Sequence, residues 1–388
     1  GTKQIANNIN LDILDFEKLN QIIKKNKIDL IIVGPEQPLV DGIVDFFQEK
    51  NVKIFGPDKF NSNLEGSKYF TKKICEENGI PTARFGMFDN LNKAKEFINK
   101  SNLPIVVKAD GLASGKGVFI CESKGKAINA ATEILSGKFK TSSKVLLEEF
   151  LNGEEMSFFI ICDGANFKLF KTAQDHKRVF ERDEGKNTGG MGAYSPSGLI
   201  NKTLEGKIIE RIILPTLKAI KEMGEKYKGF LYAGLMILDN EPFLIEYNVR
   251  MGDPECQTIL PLLKTDLADV FNACCDENLE NLNIEWKKDG RMVREEDSLA
   301  LTPKGNVVFF SAKHCIRDNG DMRRRQENNK VIQDEIERLE GLELPGNYPR
   351  QRVFYVLITT TPLVHAAQRS PDVIVTNLFE LCQNISRL

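Results

Sequence analysis

The hydrophobic positions of this chain follow two rhythms. Short β-branched or aromatic runs at 30–33, 52–55, 105–107, 118–120, 145–150 and 156–162 read as strands. Elsewhere apolar residues recur every three or four positions, from about Asp15 and over 40–50, 91–100, 126–136 and 202–226, which predicts amphipathic helices. In the last of these, Ile208, Ile212, Ile213 and Leu217 fall on one stripe. Strands alternating with helices at the start of the chain imply a parallel sheet, whose ligands bind beyond the strands' carboxyl ends. Later strands come as hairpins, with turn pairs at Asp163-Gly164 and Asp239-Asn240. Beyond residue 287 the pattern changes. Strand-like runs at 307–310 and 353–359 flank a charged stretch, in which Val331, Ile332, Ile336 and Leu339 predict a helix over 329–340.

Composition narrows the classes. With 388 residues, 41% hydrophobic and 28% charged, the chain is a globular protein of two to four domains. A net charge of −2 offers no general attraction for nucleic acid or an acidic membrane, so neither is expected as a partner. Eight cysteines lie without CxxC or Cys/His metal spacing, which suits reduced thiols. No signal peptide and no apolar run of membrane-spanning length is apparent. A cytoplasmic location is the expectation.

The candidate chemistry begins at PIVVKADGLASGKGVFI, 104–120. Gly111, Gly115 and Gly117 lie between two strands, beside Lys108 and Lys116. Glycines let the backbone approach a ligand, successive N–H groups form an anion nest, and the two ammonium groups suit a polyphosphate. The plain alternative is a glycine-rich hairpin with solvated lysines. A P-loop is excluded, since Gly117 follows Lys116 where Ser or Thr and then a helix are required. GPEQPL, 34–39, reads as a turn at a strand's carboxyl end, either rigid and helix-capping or offering Glu36 and Gln37 to a ligand. A helix carrying Lys68 in an early turn stops near Asn78-Gly79. The polar, glycine-rich segment 172–196 is a long loop, with Asp175, His176, Lys177 and Arg178 offering opposed charges to a zwitterion or phosphate. It reads equally as a solvated charge run. In PFLIEYNVR, strand alternation puts Leu244, Glu246, Asn248 and Arg250 on one face. Glu246 and Asn248 are oxygen donors suited to Mg²⁺, and Arg250 could clamp a carboxylate or phosphate. The alternative there is the polar outer face of a sheet.

Together these segments resemble an ATP-grasp carboxylate–amine ligase. GPEQPLVDGIVD, LEGSK, GIPTA, KADGLASGKGV, EEFLNGEEMSF, QDHKR, NTGGMGAYSP and EYNVRMGDPECQ, in this order across roughly 29–270, resemble the phosphoribosylamine–glycine ligases of purine biosynthesis. The resemblance implies a truncated parallel-sheet domain over 1–60, an ATP-grasp fold of two α+β lobes over 61–286, and an unassigned α/β region over 287–388. It implies that Lys68 and Lys108 contact ATP phosphates under a loop of Gly111, Gly115, Lys116 and Gly117. Glu149 and Leu151 would form the adenine hinge by their main chain, and Glu155 would bind the ribose hydroxyls. Glu246 and Asn248 would be the Mg²⁺ (or Mn²⁺) ligands. Asp175, Arg250 and Asp253 would line the acceptor site, and Glu36 would face phosphoribosylamine.

The implied chemistry starts with attack of the glycine carboxylate on the γ-phosphate, giving an acyl phosphate that the amine of phosphoribosylamine then consumes. Phosphoryl transfer needs positioning and charge neutralisation more than a protein nucleophile. A monomer acting on small molecules is expected. The family normally begins with a glycine-rich turn containing GSGGREHA, and this chain starts downstream of it at Gly1-Thr2; a processing boundary is the simplest expectation. Residues 287–388 lack the family's GYP, FHAGT-like and GGRVL-like segments. An ATP-binding protein impaired in catalysis, or another ATP-grasp ligase such as a carboxylase, are therefore the competing readings.

Overall fold

The computed structural model describes residues 6–112, 117–139, 142–175, 178–180, 184–187, 192–287, 297–301, 307–313, 353–359 and 373–377. The chain divides into two compact units, Gly1–Gly290 and Arg291–Leu388.

Helix α1 (Phe16–Asn26) opens the first unit, its N-cap Asp15 accepting from the Lys18 amide, and Lys27 in left-handed conformation ends it. Strands β1 (Ile31–Ile32) and β2 (Ile54–Phe55) pair in parallel, as the alternating pattern predicts. Between them the GPEQPL segment is not a turn followed by a long helix. Helix α2 (Glu36–Asp41) starts within it, and Gly42 at φ 92° separates α2 from α3 (Ile43–Gln48). A left-handed residue cannot continue a helix, so the apolar stripe read over 40–50 belongs to two short helices.

Helices α4 (Asn63–Gly66) and α5 (Lys68–Glu77) follow. The first lobe is built from β3 (Phe85–Phe88), α6 (Leu91–Lys100), β4 (Ile105–Ala109), β5 (Val118–Cys121), α7 (Lys124–Leu135) and β6 (Val145–Glu149). Its antiparallel sheet has the order β3-β6-β4-β5. Ile98, Ala127, Ala131 and Ile134 of the two helices pack on Ile105, Val107 and Leu147 of the strands. The β4–β5 hairpin was legible in its apolar runs; β3 was not, its four residues all being half-buried.

The second lobe carries β7 (Glu154–Asp163), β8 (Phe167–Leu169), β9 (Gln174–Asp175), β10 (Arg178–Phe180), β11 (Glu184–Asn187) and β12 (Ala193–Tyr194). The segment expected to be a structureless loop thus holds two small antiparallel pairs, β9 with β12 and β10 with β11. Next come α8 (Lys202–Ile208), one π-helical turn over Ile209–Ile213, and α9 (Leu214–Glu222). The single helix expected to reach residue 226 is therefore interrupted and stops four residues earlier.

Strands β13 (Lys228–Leu238) and β14 (Glu241–Asn248) complete the main sheet, ordered β14-β13-β7-β8. Asp239 and Asn240 both have positive φ, as a two-residue hairpin turn requires. The sheet is covered on both faces. Phe158, Ile160, Leu231 and Leu235 join α5, α8 and α9 in one core, while Phe159, Ile161, Phe230 and Tyr232 join α11 (Leu267–Cys275) in another. The short helix α10 (Glu255–Ile259) precedes α11.

The second unit contains one sheet in the order β15 (Asp297–Leu301), β16 (Val307–Lys313), β17 (Val353–Thr359) and β18 (Val373–Asn377). The first pair is antiparallel and the other two are parallel. Both predicted strands are present, and the helix expected at 329–340 lies outside the described residues.

Candidate active site

Strand β14 sets the geometry of the site, and it does so through an irregularity. Leu235 pairs with Leu244, but the next β13 residue, Gly234, pairs with Glu246, so Ile245 is an extra residue. Such a bulge reverses the in–out alternation beyond it. Leu244 is consequently buried in the core with Tyr247 and Val249, while Glu246, Asn248 and Arg250 occupy the opposite, half-exposed row. Sequence alternation had placed Leu244 in the row of Glu246; the bulge corrects that. Gly234 beneath Glu246 is a close approach, since a Cβ there would lie 3.3 Å from the Glu246 Cγ.

Glu246 lines a cleft of about 90 Å³ together with Lys108, Val118, Glu155, Met156, Ser157, Asp175, Tyr232, Gly234, Leu235 and Ile245. Four sequence candidates from distant segments (Lys108, Glu155, Asp175 and Glu246) thus share one space. Lys68, at the first position of α5, donates to the Gly111 carbonyl at 2.9 Å. Burial pushes its ammonium below the usual lysine range, a trend aided by Lys108 and opposed by Glu246. The beginning of the glycine-rich loop is fastened to α5 as well, since Asp110 accepts from the Tyr69 amide at 3.2 Å. Gly117 closes the hairpin, its carbonyl accepting from Ala109 at 2.8 Å. Gly115 and Lys116 lie outside the described residues.

Lys108 is buried, and its Nζ lies 2.5 Å from Glu148. The other Glu148 oxygen lies 2.5 Å from Lys72. Burial alone would raise the Glu148 pKa, but the two ammonium groups bring it below the ordinary carboxylate range. Burial likewise works against both lysines. Lys108 is nevertheless raised, because Glu246 and Glu155 add to the pull of Glu148, whereas in Lys72 burial, helped by the Lys108 charge, outweighs Glu148 and the ammonium is lowered.

At the far end of β14, Arg250 spans two acids. Its Nε lies 3.0 Å from Glu36 of α2 and one terminal nitrogen 2.9 Å from Glu65 of α4. Glu65 also accepts from the Val249 amide at 2.9 Å. Burial pushes the Glu65 carboxyl up to about 7, with Glu36 and Glu246 adding to the rise and Arg250 opposing it. Glu255 is buried and accepts from Ser157 at 2.9 Å and Tyr232 at 2.8 Å. Gly252 lies close beside it: a Cβ there would sit 2.2 Å from the Glu255 carboxylate, so any side chain would displace that carboxylate.

The remaining candidates are more peripheral. Glu149 is held by Arg84, through the amide and Nε, both at 2.9 Å. Leu151 is half-buried just beyond β6. Asp253 is exposed and accepts from Gln257 at 2.7 Å, outside the cleft lining. Sequence reading missed the roles of Lys72, Glu148, Glu65, Ser157, Tyr232 and Glu255. Glu65, Glu148 and Glu255 stand inside quoted motifs, and a carboxylate in the apolar run Val145 to Glu149 was the available signal; Tyr232, an aromatic among aliphatics, gave none.

Among the described residues no group of three or more His, Cys, Asp or Glu is arranged to hold a metal, and no helix is long and apolar enough to cross a membrane. Glu246 and Asn248 are therefore a two-donor set, all oxygen. That set fits Mg²⁺ or Mn²⁺ only when other oxygens, such as phosphates, complete the shell.

An antiparallel lobe carrying a buried lysine and a glycine-rich hairpin, set against a second lobe whose edge strand carries Glu246 and Asn248, defines an ATP-grasp enzyme. Biotin carboxylase from Campylobacter jejuni shares this fold, with a TM-score of 0.58 at 18% identity over 70% of this chain and 60% of that one. The family descriptions that match are "Phosphoribosylglycinamide synthetase, N domain" over residues 1–65 and "Phosphoribosylglycinamide synthetase, ATP-grasp (A) domain" over residues 66–256. The chain belongs to the phosphoribosylglycinamide synthetase family. It is 45% identical over 304 residues to the phosphoribosylamine–glycine ligase of Mesorhizobium japonicum, covering 77% of this chain and 72% of that one. The crystal structure of the ligase from Thermotoga maritima is similar with a TM-score of 0.64 at 31% identity, over 78% of this chain and 77% of that chain.

Proposed function

We propose that this chain joins glycine to 5-phosphoribosylamine at the expense of ATP, releasing ADP and phosphate. The observation that carries the reading is the convergence of Lys108, Glu155, Asp175 and Glu246 on one cleft, with Lys68 close enough to feel the charges of Lys108 and Glu246, in a chain of this family. Lys68 and Lys108 neutralise the phosphates, and Glu155 takes the ribose hydroxyls. The hinge at Glu149 and Leu151 holds the adenine through its main chain. Glu246 and Asn248 would hold a divalent ion, Mg²⁺ or Mn²⁺, which would supply positive charge to offset that of the phosphates. Arg250 and Asp175 orient glycine so that its carboxylate attacks the γ-phosphate, and Glu36 and Asp253 serve the phosphoribosylamine side.

Glycyl phosphate hydrolyses readily, so the glycine-rich loop excludes water until the amine displaces phosphate. The first step breaks the bond between the γ-phosphorus and the oxygen that leaves with ADP, and the second breaks the acyl carbon–oxygen bond as phosphate leaves. Neither needs a protein nucleophile, in accord with a cleft whose lining offers charges and hydroxyls. The test is phosphate release with ATP, glycine and freshly made phosphoribosylamine. Release that requires all three is expected. Nucleotide binding without release would favour an impaired ATP-binding protein, and release with bicarbonate in place of glycine would favour a carboxylase.

A further inference from the structure

We propose that Lys72, Thr82 and Glu148 form a positioning strut that fixes the phosphate-binding lysine relative to the metal-binding strand. The proposal rests on the nucleotide reading of the cleft. Its contacts run without a gap from one lobe to the other. Lys108 on β4 meets Glu148 on β6, and Glu148 meets Lys72 on α5, each at 2.5 Å. Lys72 also donates to the Thr82 hydroxyl at 2.5 Å, and Thr82 donates to the Leu244 carbonyl at 2.6 Å. The main chain reinforces the last link, since the Leu244 amide donates to the Pro81 carbonyl at 2.8 Å and Thr82 bridges Leu244 in parallel.

Leu244 immediately precedes the bulged Ile245, and Glu246 follows. The strut therefore ends at the irregularity that turns Glu246 into the cleft. It also covers the outer edge of β14, which has no strand neighbour on that side among the described residues. Stability alone gives a poor reason for such a cluster, because well-packed apolar residues replace buried ion networks with little loss. A directional role gives a better one. A threonine hydroxyl has one proton to donate, and here it is committed to Leu244 while its lone pairs receive Lys72. The Thr82 hydroxyl is thus the joint between the charges of one lobe and the backbone of the other.

The joint is tested with Thr82→Val, which keeps the shape and leaves the buried charges in place. A non-hydrolysable ATP analogue is titrated into the full chain by calorimetry, with and without Mg²⁺, with the melting temperature as folding control. In the wild type, Mg²⁺ should tighten binding. In Thr82→Val the metal-free affinity should stay within about twofold, while the gain from Mg²⁺ falls roughly three- to tenfold, the worth of one hydrogen bond. Thr82→Ser should restore the gain, and Thr82→Val should change nothing further in a Glu246→Gln background. An undiminished Mg²⁺ gain in Thr82→Val, a serine variant as impaired as valine, or additivity with Glu246→Gln would each overturn the strut alone. A wild type that binds no nucleotide would overturn the functional reading and the strut with it.

Discussion

Two charge clusters flank the β14 row, and they are built with opposite surpluses. In the first, Lys72 and Lys108 share the single carboxylate of Glu148, and all three side chains are at most 5% exposed. In the second, the guanidinium of Arg250 is shared by Glu36 and Glu65, with Arg250 and Glu36 22% and 27% exposed. The first cluster has a cation to spare, and the second an anion. The difference shows in the carboxyls. Glu148 is held below its ordinary range, while Glu65 is pushed up to about 7. Glu246 lies between and acts on both, favouring the charged form of Lys108 and disfavouring that of Glu65. Lys108 thus brings the cationic cluster to the cleft lining, whereas Arg250, Glu36 and Glu65 stand outside that lining, and Glu246 is the cleft residue that acts on both clusters.

The strongest way to break this comparison is to remove the shared acid. Glu148→Ala leaves Lys72 and Lys108 buried without the carboxylate they share, and breaking a buried pair in this manner costs on the order of 3–5 kcal/mol. We expect a large fall in denaturation midpoint by urea titration; an unchanged midpoint would mean the lysines are neutralised some other way. Glu246→Gln preserves shape and drops the charge between the two clusters. Turnover should fall on the order of 10²-fold or more, with melting temperature unchanged, if its carboxylate acts on the developing phosphate charge. Phosphate release measured against Mg²⁺ concentration checks this, and matching curves for variant and wild type would remove Glu246 from the site.

Lys108→Ala sharpens the cationic side. Glu148 keeps Lys72 as partner, so the fold should survive while ATP binding weakens about tenfold or more, from a lost charge-assisted contact of about 1.5–3 kcal/mol. Calorimetry reads the change directly. The smallest effect concerns the anionic side. Because the Glu65 pKa rises from 4.5 to about 7 on folding, the native state binds its proton more tightly than the unfolded chain. Its contribution to stability is full below about pH 4.5 and is lost as pH rises through 7. Glu65→Gln mimics the protonated form, so the wild type should lose stability relative to it between pH 4.5 and 7. The loss should be on the order of 1 kcal/mol once screening of the half-exposed partners is allowed for. Melting curves across that range test it, and a parallel pair of curves would place the Glu65 pKa near its unfolded value.

The sequence alone determined what depends on neighbours along the chain. The β4–β5 hairpin, the helix Leu91–Lys100 and the strand pair joined at Asp239-Asn240 follow from local periodicity and turn chemistry, and each stands as read. Oxygen donors two residues apart at Glu246 and Asn248 were legible for the same reason. What the tertiary structure decided depends on partners far away. The bulge at Ile245 is invisible to an alternating pattern, because it arises from pairing with β13 and puts Leu244 and the residues before it out of phase with Glu246 and those after it. Arg250 meets Glu36 across 214 positions and Glu65 across 185. No local rule assigns one counter-charge to two lysines, or two acids to one arginine. Those charge balances, and the proton affinities they set, come from burial and from which distant groups the fold brings within a few ångströms.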